Sequence, residues 1–414
     1  MKPFTLLVKP ASGLCNIDCT YCFYKRVLDE LYPEKNDALK MSPATAEKMI
    51  RNYLQCGFPH NAICFQGGEP LLMGLDFYHN VIEYEKKYGK TGQTIGNSFQ
   101  TNGLLITDEW ARFFKQYNML NGLSCDGPRH VHDHYRLNFT GKGTFDNVMK
   151  AADIMHKNGV EFNILSMITA HSVQHLKEIW SFFRENNLNF LQFIPCLEID
   201  PKTKKPAEFS VTGEQYRDFH KGLFDLWFEN GYPDVSIRLY DDILMYMLDG
   251  AHQGCCFKEA CDSYFLIEHN GDVYPCDFFA YDRWKLGNIN NDDYVSLAGL
   301  RKRHEFANRK RVVPGGCRGC EFIDFCRCDC PRFRLFNNGN PSTRSVLCPG
   351  FREFLKYSRR RFVEIKEDIL RRRAEHNARM GQPGPAPQIP GDYPRNAPCP
   401  CGSGKKSKKC CGAK

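Results

Sequence analysis

The stretch Cys15-Asn16-Ile17-Asp18-Cys19-Thr20-Tyr21-Cys22 decides how this chain reads. It spaces three cysteines as C-x3-C-x2-C just after a strand-like run, Thr5–Val8. Three thiolates on one loop can hold three irons of a cubane 4Fe–4S cluster and leave the fourth iron open to bind and reduce a ligand. A structural zinc would want four protein ligands, and no fourth Cys or His stands nearby in sequence.

Downstream, strand-like runs recur at Ala62–Gln66, Thr94–Gln100, Asn121–Ser124, Glu161–Ile168, Asn189–Ile194 and Val235–Tyr240. Amphipathic stretches separate them, with start signals at Ser42-Pro43, Thr107-Asp108 and Thr212. Such alternation predicts parallel strands with right-handed crossovers, in a barrel or an open sheet. Polar and glycine residues follow three of the strands: Gln66-Gly67-Gly68-Glu69, Gln100-Thr101-Asn102-Gly103 and Ser124-Cys125-Asp126-Gly127. In such folds the ligand site lies at the C-terminal strand ends.

The cysteine motif, with Tyr21 before its last cysteine, resembles the C-x3-C-x-aromatic-C signature of radical S-adenosylmethionine (SAM) enzymes. The resemblance implies an α/β fold with a partial (β/α)6 barrel over residues 1–240. It also implies SAM as cofactor. Gly67-Gly68-Glu69-Pro70 matches the family's GGEP motif, whose backbone meets the SAM amino group. Asn102 and Ser124 match polar positions near the ribose and methionine ends, and Arg136 an arginine near the SAM carboxylate. Tyr21, Tyr24, Gln66 and Leu191 join the implied SAM contacts.

Residues 241–350 lose the alternation and become rich in Gly, Cys and aromatics. Cys255, Cys261, Cys276, Cys317, Cys320, Cys326, Cys330 and Cys348 are enough for two fully ligated cubanes. Two structural zinc sites would fit the same spacing. The order resembles the SPASM extension of radical SAM enzymes that modify peptides. That extension implies one auxiliary cluster on Cys255, Cys261, Cys276 and Cys330, and another on Cys317, Cys320, Cys326 and Cys348. With the first motif this makes three 4Fe–4S clusters. Two features depart from the pattern: Cys256 adjoins Cys255, and Cys328 stands in Cys326-Arg327-Cys328-Asp329-Cys330, where family members usually have glycines.

A closer similarity, to anaerobic sulfatase-maturating enzymes, rests on Phe65–Pro70, Gln100–Gly103, Leu191–Ile194, Val273–Phe278 and Arg283–Ile289, and covers nearly all of residues 1–360. It implies that a 5′-deoxyadenosyl radical takes hydrogen from Cβ of a Cys or Ser in an unfolded or nascent sulfatase, giving Cα-formylglycine. It makes Asp277 the base that accepts the thiol or hydroxyl proton. An electron donor such as flavodoxin or ferredoxin is implied too. Another SPASM peptide maturase, for instance one forming thioether crosslinks in a ribosomal peptide, is the rival; a metal-binding adaptor would need no SAM pocket.

Residues 351–380 read as a helix and residues 381–396 as a Pro/Gly-rich linker. Residues 397–414 carry Cys399, Cys401, Cys410 and Cys411 as C-x-C-x8-C-C, which resembles the SEC-C motif and implies one tetrahedral zinc. Residues 352–414 hold 16 Lys/Arg against 6 Asp/Glu, so this end suits an acidic partner. The whole chain, 414 residues with 42% hydrophobic and 25% charged, is not of disordered composition. It lacks a run of about 18 apolar residues for membrane insertion and an export h-region of about 7–15 residues, so a cytoplasmic location is expected. In a reducing compartment 21 cysteines point to metal rather than disulfides.

Overall fold

Short apolar segments and amphipathic helices alternate through the first half, and their pairing builds one sheet. The computed structural model describes residues 1–33, 39–200, 202–336 and 342–379, with Lys406 and Lys409 beyond them. Strands β1 (Thr5–Lys9), β2 (His60–Phe65), β3 (Thr94–Thr101), β4 (Leu120–Ser124), β5 (Phe162–Ile168), β6 (Phe190–Pro195) and β7 (Ser236–Ile237) lie side by side in chain order, all parallel. Between them run α1 (Phe23–Leu31), α2 (Pro43–Gln55), α3 (Leu75–Tyr88), α4 (Asp108–Gln116), α5 (Arg129–Tyr135), α6 (Phe145–Lys157), α7 (Leu176–Glu185) and α8 (Gly213–Asn230). The result is a partial-barrel sheet with a helical layer outside it. The three helix starts carry their caps: Ser42 accepts from the Thr45 amide, Thr107 from Trp110, and Thr212 forms a reciprocal box with Gln215.

The period of two sorts the strand residues into two faces. Phe65 packs on Tyr78 and Phe99 on Phe114, so Ile63, Phe65, Asn97, Phe99 and their register partners face the helices. Replacing a ring so placed by Ala costs about 3–5 kcal/mol. Leu7, Cys64, Ser98, Gln100, Gly122 and Ser124 share the opposite, inner face.

Two regions differ from the sequence expectation. Val235–Tyr240 reads as a strand, yet only Ser236–Ile237 pairs and α9 (Arg238–Asp249) begins at once. Tyr240, Ile243 and Leu244 fall on one buried helical stripe, and that 3.6-residue period overrides the local β preference. The cysteine-rich half also joins the sheet. β8 (Tyr264–Glu268) pairs in parallel with the free side of β1, and β9 (Asp272–Tyr274) and β10 (Gly287–Asn288) extend it antiparallel. Four of the five β8 residues are buried, so the strand does not alternate. Short helices α10 (Tyr294–Gly299), α11 (Arg301–Asn308), α12 (Ile323–Cys326) and α13 (Pro331–Leu335) follow, then α14 (Cys348–Arg379).

Backbone contacts divide the chain into two units, Met1–Tyr357 and Ser358–Lys414. In the second, the helix carries i,i+4 pairs such as Arg372–Asp368 at 2.7 Å. The predicted linker and the four tail cysteines lie outside the described residues. No described helix is long and apolar enough to cross a membrane.

Candidate active site

The loop after β1 is held by the loop after β2. The carbonyls of Ser12 and Leu14 accept from the amides of Gly68 (2.8 Å) and Glu69 (2.7 Å). A Cβ on Gly68 would lie 1.9 Å from the Leu14 carbonyl oxygen, and one on Gly67, at φ +123°, 2.5 Å from that of Ser12. Both positions therefore require glycine. On this platform Cys15, Cys19 and Cys22 gather around Ile17 and Tyr21. Burial pushes the Cys15 thiol up to about 12 and Cys19 to about 11, and raises Cys22 too. Thiols so buried need a cation to become thiolates, and three soft donors on one loop fit the irons of a cubane.

The other strand-end loops meet this one. Asn102, after β3, donates to Asn16 Oδ1 at 2.7 Å and to Cys15 Sγ at 3.5 Å. Glu69 is fully buried and accepts from the Leu71 amide (3.0 Å), the Thr101 hydroxyl (2.9 Å) and the Asn102 amide (2.8 Å). Its side chain therefore joins the β2 and β3 loops, while burial pushes its carboxyl up to about 7. Ser124 accepts from Gln100 at 3.1 Å, and Gly122 leaves the space that the Gln100 amide fills. Gln66 donates its amide to Val8 at the rim of the same face.

Arg136 forms a buried bidentate pair with Asp126 at 2.9 and 3.1 Å, and Tyr21 donates to the same carboxylate at 2.6 Å. Burial alone would push the Asp126 carboxyl up, but the guanidinium and these hydrogen bonds hold it below the usual range. Two of the Arg136 nitrogens are thus committed to the protein.

Two residues stand elsewhere than the SAM resemblance implies. The Tyr24 hydroxyl is hydrogen-bonded to Glu268 Oε1, and its ring packs with Val27, Leu266 and Tyr274. Leu191 is in register with Ile164, so it lies on the helix side of the sheet, and Gln192 takes the inner face beside Leu165. The period of two fixes this: neighbouring strand residues cannot both face inward.

Asp277 follows β9. Its Oδ1 accepts from the Phe278 amide at 3.0 Å and lies 3.6 Å from the Cys276 sulfur. Lys9, at the end of β1, is only 1% exposed and lies within the fields of Asp277, Glu268, Cys22 and Cys276. Its charge thus acts on both the first cysteine loop and Asp277. Its ammonium is 3.2 Å from the centre of the Tyr24 ring, a close cation–π contact. Burial lowers its pKa against the pull of the two carboxylates. Sequence reasoning missed Lys9, Asp126 and Glu268. A lysine ending an otherwise apolar strand was the available signal for the first.

The remaining cysteines form two groups. Cys255, Cys261, Cys276 and Cys330 interact with one another, with Cys256 beside Cys255 and Cys330. Cys317, Cys320, Cys326 and Cys348 form the second, which also contains Cys328. Two cations sit against this region. Lys310, 2% exposed, donates to the carbonyls of Cys256 and Asp329; Arg334, fully buried, donates to those of Cys328, Val312, Lys310 and Asp329. Among the described residues neither has a carboxylate partner. Buried charge without a counter-ion is costly, so this cationic, thiol-lined region fits an anionic thiolate-bound guest such as an iron–sulfur cluster.

The comparisons with known proteins agree. The Radical SAM superfamily matches residues 10–185, an iron–sulfur cluster-binding domain residues 255–321, and the SEC-C motif residues 395–413. SAM and iron–sulfur clusters are therefore its cofactors. A cysteine-type anaerobic sulfatase-maturating enzyme of Clostridium perfringens (strain 13 / Type A) is 36% identical, over 89% of this chain and all of its own. A serine-type enzyme of Bacteroides thetaiotaomicron is 32% identical over 91% of this chain and 94% of its own. Native anSMEcpe, solved with bound AdoMet and Cp18Cys peptide, superposes with a TM-score of 0.83 at 35% identity, covering 89% of this chain and all of that one. The chain belongs to the anaerobic sulfatase-maturating enzymes, a family of radical SAM oxidoreductases.

Proposed function

We propose that this enzyme converts a Cys or Ser of a sulfatase active-site motif to Cα-formylglycine. The observation that carries the reading is the place of Asp277, a half-buried carboxylate beside Cys276 and Lys9 and close to the three-cysteine loop. When bound, SAM and the cluster on Cys15, Cys19 and Cys22 supply the radical chemistry that removes hydrogen from the substrate Cβ.

The protein's own work is placement and proton transfer. Backbone groups of Gln66 to Glu69, with Tyr21, Asn102, Ser124 and the uncommitted edge of Arg136, form the SAM-binding surface. Tyr24 and Leu191 leave this set, because one is tied to Glu268 and the other faces the helices. Asp277 takes the proton of the substrate thiol or hydroxyl through Oδ2, which carries no hydrogen bond among the described residues. Lys9 sets a buried positive charge within the field of that carboxylate. The substrate thus loses a hydrogen atom from Cβ, a proton to Asp277 and one further electron, for which an auxiliary cluster held by the second half's cysteines would be the acceptor. For a Cys target, water then adds to the thioaldehyde and the sulfur leaves as hydrogen sulfide.

The finer assignments belong to the same proposal. Cys255, Cys261, Cys276 and Cys330 hold one auxiliary 4Fe–4S cluster, and Cys317, Cys320, Cys326 and Cys348 another. Cys399, Cys401, Cys410 and Cys411 hold zinc, and the lysines around it meet an acidic partner. The substrate is an unfolded or nascent sulfatase, met in the cytoplasm, and a flavodoxin or ferredoxin supplies electrons. Anaerobic incubation of reconstituted protein with SAM, reductant and Cys- or Ser-containing sulfatase peptides, read by mass spectrometry, tests the reading. Formylglycine in either peptide supports it. Turnover of SAM to 5′-deoxyadenosine with both peptides intact would reject it.

A further inference from the structure

Two neighbouring strands end in loops that bring histidines together. The loop after β4 leads through Gly127 and Pro128 into α5, whose second residue is His130. The loop after β5 holds His171 and closes with the short turn Ser172–His175, directly before α7. Backbone packing sets the spacing of these loops. A Cβ on Gly127, at φ +129°, would lie 2.9 Å from Ile179 Cγ1, so the first loop runs tight against α7. The Ser172 amide donates to Thr169 Oγ1 at 3.0 Å and the Thr169 amide to Ser172 Oγ at 2.8 Å, which fixes the second loop.

Glu178, in the first turn of α7, meets a ring with each of its oxygens. Oε1 lies 2.8 Å from His175 Nδ1, and Oε2 lies 3.1 Å from His130 Nε2. The two rings are 4.9 Å apart, centre to centre. One donor atom from each of the three residues lies within 4.8 Å of the other two. Ligand atoms held tetrahedrally at zinc bond lengths stand about 3.4 Å apart, so small side-chain rotations complete the set. Arg129, the cation next to His130, is taken by Asp146 at 2.9 Å, which leaves Glu178 to the two rings. A third ring extends the group. His171 lies 4.8 Å from His175 and stacks on His134 at 3.8 Å, and its buried Nε2 has no hydrogen-bond partner among the described residues.

We propose that His130, His175 and Glu178 form a binding site for a divalent metal of the zinc class, with water in the fourth position. Two imidazoles and one carboxylate around a single point are a donor set that zinc accepts and magnesium disfavours. The metal joins α5, which ends at Arg136, the partner of Asp126, to α7. The site shares no residue with the cysteine groups, and the inference does not rest on the formylglycine reading.

The test uses the full chain, with iron and zinc first loaded on its cysteines, dialysed against micromolar Zn2+ and counted by plasma mass spectrometry. Wild type should hold about one more zinc per chain than His130→Ala/His175→Ala. Formation of 5′-deoxyadenosine checks that the double variant is folded. Equal zinc in the two proteins overturns the proposal.

If the variant misfolds, footprinting of the wild type decides. Zn2+ should protect His130 and His175 from carbethoxylation, read by peptide mass spectrometry, while the exposed His60 and His79 keep reacting. Mg2+ should protect none of them. Unprotected His130 and His175 in the presence of Zn2+ overturn the site, and equal protection by Mg2+ overturns its zinc-class assignment.

Discussion

The buried cations beside the two cysteine systems are satisfied in different ways. In the parallel sheet, charged groups find protein partners. Arg136 has Asp126, Lys9 has the fields of Glu268 and Asp277, and Glu69 has three donors. In the cysteine-rich half, Lys310 and Arg334 are spent on carbonyls, and two sets of thiols wait beside them. The sheet is a finished fold that binds a cofactor at its edge. The second half is completed by what it binds, as in small domains whose metal affinity is also folding free energy.

Removing iron should break the symmetry most visibly. Anaerobic chelation should leave amide protection in β2–β5 near its original level and collapse it across residues 310–335. Hydrogen exchange with mass spectrometry measures both at once. Equal loss in both halves would mean that the clusters hold the whole unit together.

Asp277 joins the two halves and should give the next largest effect. Asp277→Asn keeps the shape and removes the proton acceptor. Formylglycine formation should fall about 10²-fold or more, while 5′-deoxyadenosine still forms, because the radical loop is untouched. A Cβ-deuterated peptide should still transfer deuterium into 5′-deoxyadenosine. Wild-type product formation would leave Asp277 as a turn residue bonded to the Phe278 amide.

The same contrast explains what could be read before the structure. The sheet half was legible because its signals are local: Ser42, Thr107 and Thr212 cap where they stand, and six of the seven strand-like runs fall where β1–β6 form. The C-x3-C-x2-C spacing similarly announced the first cysteine group. β8 was missed because burial on both faces removes the alternation that marks a strand. Lys9 gained its role from Asp277, a neighbour distant in sequence that no window along the chain brings to it, and Asp126 from Arg136, which is near in sequence but meets it only once α5 turns the chain back. The left-handed backbone at 327–329 was invisible for another reason, since none of the three residues is glycine.

On α3, which packs outside the sheet, Glu85 tests how completely a buried charge is compensated. It accepts from Asn97 Nδ2 at 3.0 Å, and burial pushes its carboxyl up to about 7 from an ordinary 4.5. The folded state thus holds this proton more tightly than the unfolded chain. The penalty for ionising it is absent below about pH 4.5 and complete above about pH 7, so stability falls as pH rises through that window. Glu85→Gln should recover about 2–3 kcal/mol at pH 8 and little at pH 4.5. Urea unfolding followed by tryptophan fluorescence measures it. The remaining slope belongs in part to Glu69, which is raised to the same range. A pH profile unchanged by the substitution would show that Asn97 already stabilises the anion fully.

The smallest effect expected is also the sharpest probe of the unpaired cations. Lys310 lies against Cys256 and Asp329, the neighbours of cysteines from both auxiliary groups. A positive charge there favours the more negative, reduced form of a nearby cluster. Lys310→Met keeps the aliphatic stem and removes that charge, so auxiliary reduction potentials should fall by tens of millivolts, the scale of one partly screened charge. Lys285→Met is the control, because Lys285 pairs with Asp272 at 2.7 Å and is 41% exposed. Its removal should shift the potentials by less, and by an amount that shrinks with salt. EPR-monitored redox titration of both variants decides the point. If Lys310→Met leaves the potentials where they were and changes only thermal stability, the ammonium is there to satisfy the carbonyls of Cys256 and Asp329. The electrostatic half of the contrast would then rest on Arg334 alone.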